Sequence, residues 1–222
     1  MNDLSPILLS IKLSLVTTFF LFLFGIPFAW WLSVTKKRIK PAIEAIVALP
    51  IVLPPTVLGF YILLAIGSKG PFGKIYETLF DSQLAFSFTG LVVGSFFYSF
   101  PFAVQPIQSA FESVDKKLIE ASWTLGKSKL ETFRRIILPL SKKGLITGGV
   151  LSFAHTMGEF GVVLMVGGNI PGVTKVASIA IYDEVQALNY TGANIYSLIL
   201  LLISFSVLLM VYVFNRQTVR SL

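Results

Sequence analysis

Five apolar stretches dominate this chain, each near the roughly 20 residues an α-helix needs to cross the hydrocarbon core of a bilayer. They run from about Leu4 to Val34, Ile43 to Ile66, Leu84 to Val104, Leu145 to Val166 and Ile195 to Phe214. Lys12 is the one charged residue in the first. In lipid no water is available to satisfy backbone N–H and C=O groups, so such stretches must close their hydrogen bonds internally as helices. The balance of residue types agrees: 55% of the 222 residues are hydrophobic and only 13% are charged, about half the charge of a soluble domain. The expected fold is all-α, a single transmembrane domain over residues 1–222 built as a bundle of about five spans. No internal repeat, low-complexity tract or second soluble domain is visible.

Lysine and arginine orient the bundle, because they accumulate in cytoplasmic connections. With five crossings and the N-terminus outside, the inner connections hold Lys36, Lys37, Arg38 and Lys40. They also hold Lys116, Lys117, Lys127, Lys129, Arg134, Arg135, Lys142 and Lys143, with Arg216 and Arg220 in the tail. The outer ones hold Lys69, Lys74 and Lys175, fourteen against three. The expectation is therefore a multi-pass protein of the cytoplasmic membrane, N-terminus outside and C-terminus inside. The first stretch carries Asp3 and no early lysine, and its basic cluster follows it, so it reads as a retained span rather than a signal peptide. Residues 169–194 contain Lys175, Asp183 and Glu184, with Val176, Ile179 and Ala180 at helical spacing. They read as a short outer-face helix or re-entrant piece; a sixth crossing would move the basic tail outside.

The second stretch contains Pro50, Pro54, Pro55 and Gly59. A span broken by proline is tolerated where neighbouring helices satisfy the freed backbone groups, which points to the bundle interior; the plainer alternative is a kink without a role. Several functions are excluded. With no cysteine and His155 as the single histidine, the chain offers no thiolate site and no multi-histidine metal cluster. It has no G-x-x-x-x-G-K-[ST] phosphate loop, no H-E-x-x-H and no G-x-S-x-G. No cofactor is expected in the chain itself.

The inner connection at about 106–143 is longer than a hairpin requires. It contains Glu120-Ala121-Ser122, Gly126, Ile136 and Leu138-Pro139. Ala121, Ser122 and Gly126 allow close approach to another surface, and glycine permits a sharp turn. Trp123, Leu125 and Leu130 are bulky groups suited to a pocket on a partner. Glu120 can pair with an arginine across an interface. The plainer reading is an amphipathic helix lying on anionic lipid.

This spacing, Glu-Ala-Ala, three residues, Gly, nine residues, Ile, one residue, Leu-Pro, resembles the cytoplasmic loop of type I ABC importer permeases, with Ser122 in place of the second alanine. The resemblance implies that the loop is a coupling helix seated in a groove of a separate cytoplasmic ATPase, which binds ATP and Mg. Glu120, Ala121, Ser122, Leu125, Gly126, Ile136, Leu138 and Pro139 are then the ATPase-coupling residues. It also implies a homodimer around a central pathway, alternating access, and an extracytoplasmic binding protein that delivers the substrate. Two stretches narrow the family. Leu49-Pro50-Ile51-Val52-Leu53-Pro54-Pro55-Thr56-Val57 looks like the second span of molybdate permeases. Gly158-Glu159-Phe160-Gly161, with Gly168-Asn169-Ile170-Pro171-Gly172 and Thr174, is similar to the end of their fourth span, and sulfate permeases share a related version. The implied cargo is an oxyanion: molybdate, with tungstate or sulfate as alternatives.

Within the spans no arginine is available to grip a dianion, which implies a weakly binding passage. The expected pathway or gate residues are Thr147, Ser152, Thr156 and Glu159, with Ser95 and Ser99 as further uncharged donors. His155 and Glu159 are four residues apart and would share a helix face. They are either a proton relay or gate, or a pair satisfied by each other or by a neighbouring helix. A glutamate on the path would repel an anion, which favours the structural role. A proton-coupled secondary transporter using this pair is the alternative function. Gly158 and Gly161 suggest close packing, against a second copy of the chain as one possibility.

Overall fold

The computed structural model describes residues 3–217, with side chains to Val213. Arg220 lies outside the described residues, and Arg216 is described in its backbone only. Every element is helical: α1 (Ser5–Val34), α2 (Lys40–Val52), α3 (Pro55–Ile66), α4 (Pro71–Phe80), α5 (Phe88–Glu112), α6 (Lys116–Thr124) and α7 (Lys129–Thr132). A π-helical turn (Phe133–Ile137) then runs into α8 (Leu138–Leu140), followed by α9 (Lys142–Met157), α10 (Gly161–Gly167), α11 (Ala177–Gln186) and α12 (Tyr190–Gln217).

Among the described residues, α1, α5 and α12 are long and apolar enough to cross a membrane as single helices. Two bent pairs raise the number to five if each counts as one span: α2 with α3, at 112°, and Lys129–Leu140 with α9, at 70°. The first bend has a local cause. Leu53 and Pro54 each precede a proline, which clashes with an α conformation, and both are extended, at ψ 140° and 134°. Pro50 lies inside α2 without ending it, so Leu53–Pro54 makes the break. The fourth apolar stretch is also divided, since α9 stops at Met157 and α10 begins at Gly161.

α5 differs from expectation at both ends. The Ser87 hydroxyl accepts from Gly90 N–H at 3.1 Å and starts the helix at Phe88, and the helix continues through Pro101 and Pro106 to Glu112. The connection that follows α5 therefore begins at Ser113 rather than near Pro106. Ile107 and Phe111, on that added length, are buried with Ala29, Leu32, Val104, Val114 and Ile137 in one apolar cluster. Residues 169–194 contain α11, which at 10 residues is too short to cross. Its Ala177, Ile179 and Ala180 are buried against α1 and α12.

α1, α5 and α9 form the centre, and small residues bring them together. A Cβ added at Gly144 would stand 2.2 Å from Ala110 Cβ, and one at Gly148 would stand 2.9 Å from the Ala103 carbonyl oxygen. α10 is held between α3 and α5: a Cβ at Gly161 would meet Pro55 Cβ at 2.6 Å, and one at Gly59 would meet Met165 Cβ at 2.9 Å. Gly161 thus packs tightly within its own chain. Gly158 does not, its nearest atom being the Ala154 carbonyl of its own helix at 3.9 Å.

Candidate functional site

The end of the bundle where α5 stops carries the loop of α6, α7 and the π-helical turn. Asp115 caps α6 by accepting from Lys117 N–H at 2.9 Å. At its other end Lys127 N–H reaches the Ser122 carbonyl at 3.0 Å, and Gly126 takes φ +76° with no heavy atom within 4 Å of where a Cβ would stand. A left-handed residue of this kind is the usual way to stop a helix, and glycine adopts it at least cost. Ser128 then opens α7 with a capping box: Glu131 N–H donates to its Oγ at 3.2 Å, and the Glu131 carboxylate accepts from Ser128 N–H at 3.3 Å. That amide bond, then Lys127 and Arg135, holds the Glu131 carboxyl below the ordinary carboxylate range.

Ser122 is the hinge pin of the loop. It is 4% exposed, its Oγ lies 2.7 Å from Thr132 Oγ1, and it also donates to the Ile119 carbonyl at 2.9 Å. This hydroxyl pair joins α6 to α7, a use of Ser122 that reading it as a small stand-in for alanine misses. Around the pin, Glu120, Ala121, Leu125 and Gly126 are exposed. Trp123 is 49%, Leu130 64% and Leu125 79% exposed, a group of bulky apolar side chains with no cover among the described residues. Phe133 packs on Trp30 and Phe111 at ring-centroid distances of 5.1 and 5.7 Å, and Ile137 is buried beside them. Ile136 and Leu138 are half-buried and Pro139 is exposed. The loop is thus a tied unit whose outer face is free and whose inner face is built into α1 and α5.

A polar network stands immediately above it. Lys40 Nζ pairs with Glu112 at 2.8 Å and with Glu44 at 3.7 Å, while Gln108 Nε2 donates to Glu44 at 2.6 Å and to Glu112 at 3.0 Å. A cavity of about 250 Å³ opens beside it, lined by Leu32, Val47 and Gln105 among others. The start of α2 is thereby bound to the end of α5. In the sequence Lys40 is one of several basic residues of its connection, and Glu44, Gln108 and Glu112 fall outside any motif.

The expected pathway residues differ in their surroundings. Ser152 is fully buried and donates to the carbonyls of Gly148 and Gly149 in its own helix at 2.7 and 3.1 Å. Thr156 Oγ1 lies 2.8 Å from Ser99 Oγ, which is also 3.1 Å from His155 Nδ1. His155 stacks on Phe102 at 3.8 Å and lies against Tyr98 at 4.6 Å. It is therefore satisfied by α5. α9 ends before Glu159, so the four-residue spacing no longer puts the two side chains on one helix face. Glu159 is 4% exposed, and neither its carboxylate oxygens nor Ser95 Oγ makes a hydrogen bond of ordinary geometry, although Ser95 and the Val163 amide lie near enough to act on it. Its carbonyl accepts from the Ser178 hydroxyl of α11. Thr147 is half-buried on α9.

At the opposite end from the loop, Gly168 and Gly172 take φ +64° and +73° and fold residues 168–172 into a tight turn. Thr174 Oγ1 closes it, donating to the Gly167 carbonyl at 2.7 Å and accepting from Ile170 N–H at 3.1 Å. Asn169 donates to both carboxylate oxygens of Asp183 at 2.8 Å, and Lys175 pairs with the same group at 2.5 Å. Burial pushes the Asp183 carboxyl up, but Lys175 and Asn169 outweigh it and hold the group below its ordinary value.

The sequence matches the family described as "Binding-protein-dependent transport system inner membrane component" over residues 13–220. The chain belongs to this family. It is a permease subunit of an ABC importer, a transport protein of the membrane and not an enzyme. The molybdenum transport system permease protein ModB of Azotobacter vinelandii is 47% identical over 215 residues, covering 97% of this chain and 95% of that protein. A probable sulfate transport system permease protein, cysT of Chlorella vulgaris, is 34% identical over 216 residues, covering 97% and 81%. Among solved structures, the MetNI methionine ABC transporter in an inward-facing conformation superposes with a TM-score of 0.74 at 19% identity, over 96% of this chain and 94% of that one. At that identity the superposition speaks for the fold alone, and it is the type I importer permease fold. Membership implies an ATPase and a binding protein as partners of this permease.

Proposed function

We propose that this permease forms the pathway for an oxyanion, molybdate, in an importer whose separate ATPase docks on the α6–α7 loop. The observation that carries the docking is the loop's build. Exposed Trp123, Leu125 and Leu130 surround a turn locked by Ser122, Thr132 and Gly126, an apolar group of the kind that anchors an interface. Its inner side is packed on Trp30 and Phe111, so a displacement of the loop is passed to α1 and α5 as a body. The family's ATP-driven mechanism supplies the rest. ATP binding in the partner closes two such loops together and opens the pathway outward, and hydrolysis returns it inward. Molybdate is favoured by the 47% identity to ModB over nearly the whole of both chains, against 34% to the sulfate relative. Tungstate shares the shape and charge of molybdate and is carried by the same chemistry. Two copies of the chain enclose the pathway, with the N-terminus outside and the loop inside. Uncharged Thr147, Ser152, Thr156 and the buried Glu159 lie at or near the gate.

The test is co-purification of the wild type with its ATPase, beside Glu120→Arg and Gly126→Trp. At Gly126 there is room for a side chain but the backbone conformation disfavours one. The wild type is expected to retain the ATPase and to take up molybdate with ATP, and the variants to lose the complex or the uptake. Uptake by the chain alone, collapsing with the proton gradient while ATP is present, overturns the proposal in favour of secondary transport.

A further inference from the structure

Residues 67–83, between the second and third apolar stretches, contain a helix of distinct design. Around α4 the apolar residues Phe72, Ile75, Tyr76, Leu79 and Phe80 fall on one continuous arc, since they are spaced three and four apart. Lys74 and Thr78 lie outside that arc. The helix is held at a defined place: a Cβ at Gly73 would stand 2.0 Å from the Gly67 carbonyl oxygen and 2.5 Å from that of Ile66. Only glycine permits this contact, which seats α4 directly on the end of α3. Tyr76 turns inward to the cluster of Ile62, Ile66 and Leu84 and lies 4.6 Å from the Phe80 ring. Phe72, Ile75, Leu79 and Phe80 remain 57–70% exposed.

We infer that α4 lies in the bilayer–water boundary at the end of the bundle opposite the α6–α7 loop, its Phe72–Ile75–Leu79 face in lipid and Lys74 and Thr78 toward water. Three observations choose lipid as the occupant. α3 likewise leaves bulky apolar residues uncovered, Phe60, Tyr61 and Leu64, and only residues 67–70 separate the two helices, so α4 cannot leave the level at which α3 ends. At 10 residues it extends about 15 Å and is too short to cross, but it has the make-up of an interfacial helix. Its aromatic residues, with Lys74 on the helix and Lys69 just before it, suit the headgroup layer, where rings and lysines anchor. A partner arriving from water would leave four bulky apolar groups exposed until it bound, whereas lipid covers them from insertion onward.

The absence of cysteine from the sequence makes single-cysteine variants clean reporters. Ile75→Cys, Leu79→Cys, Lys74→Cys and Thr78→Cys are spin-labelled in the full chain. The samples are reconstituted into vesicles of phosphatidylethanolamine and phosphatidylglycerol, and collision rates with oxygen and with a water-soluble nickel chelate are measured. Phe72→Cys replaces either lipid-face variant that fails to purify. The expected result is oxygen favoured over nickel at 75 and 79, and the ratio reversed several-fold at 74 and 78. Nickel contact at 75 and 79 equal to that at 74 and 78 overturns the inference in favour of a water-exposed helix. Protection of 75 and 79 from both reagents overturns it in favour of a protein partner or a second copy. Neither outcome bears on whether the α6–α7 loop binds an ATPase.

Discussion

Ser122 sits at the position where the family's loop pattern has a second alanine, and its hydroxyl faces Thr132 inside the loop rather than a partner. A buried hydroxyl pair of this kind contributes about 1 kcal/mol net, and each member keeps a backbone partner when the other is removed, the Ile119 carbonyl for Ser122 and the Ser128 carbonyl for Thr132. Ser122→Ala and Thr132→Val should each weaken ATPase-coupled uptake without abolishing subunit assembly. The double variant should be no worse than the poorer single, because both remove one interaction; additive losses in a double-mutant cycle of uptake rates would show that the two hydroxyls act separately. The turn at Gly126 was legible from the chain alone, since glycine marks it by backbone chemistry that neighbours do not alter. The Ser122–Thr132 contact was not, because ten residues and a reversal of direction separate the two. His155 makes the same point: its place on α9 was readable, but its partner Ser99 lies on α5, 56 residues away.

Between elements, the approach of α9 to α5 is governed by Gly144 and Gly148, a small-x-x-x-small pair of the kind that lets helices meet in lipid. Beyond the far end of α9 stand Gly158 and Gly161, of which only Gly161 makes a close contact. Gly148→Leu would place a side chain against the Ala103 carbonyl and Ile107, which stand 2.9 and 3.0 Å from the position of a Cβ. Overpacking a tight contact costs about 1–3 kcal/mol. The variant should melt at lower temperature in detergent than the wild type, with Gly158→Ala, which meets nothing nearer than 3.9 Å, close to unchanged. Equal melting of both would mean that α5 and α9 can separate without penalty.

On the scale of the whole molecule, the α6–α7 loop occupies one end of the bundle, and the Gly168–Gly172 turn with α11 occupies the other. The lysine and arginine asymmetry predicts that the first end is cytoplasmic. Thr124→Cys should therefore react with an impermeant maleimide only in inside-out membrane vesicles, and Asn169→Cys only in right-side-out ones; the reverse pattern would invert the orientation. The sequence by itself determined that the chain lives in a membrane, that it is helical, and that one long connection sets bulky apolar residues beside a glycine turn. Each of these follows from residue type and spacing along the chain, which lipid and backbone geometry read locally. Only the tertiary structure decided that α2 and α3 fold back at Leu53–Pro54 with a 112° bend, that α4 exists with its apolar face uncovered, and that Lys40, Glu44, Gln108 and Glu112 meet beside the loop. Those outcomes depend on which surfaces become neighbours after the helices pack, and that choice is made by contacts between residues far apart in the chain.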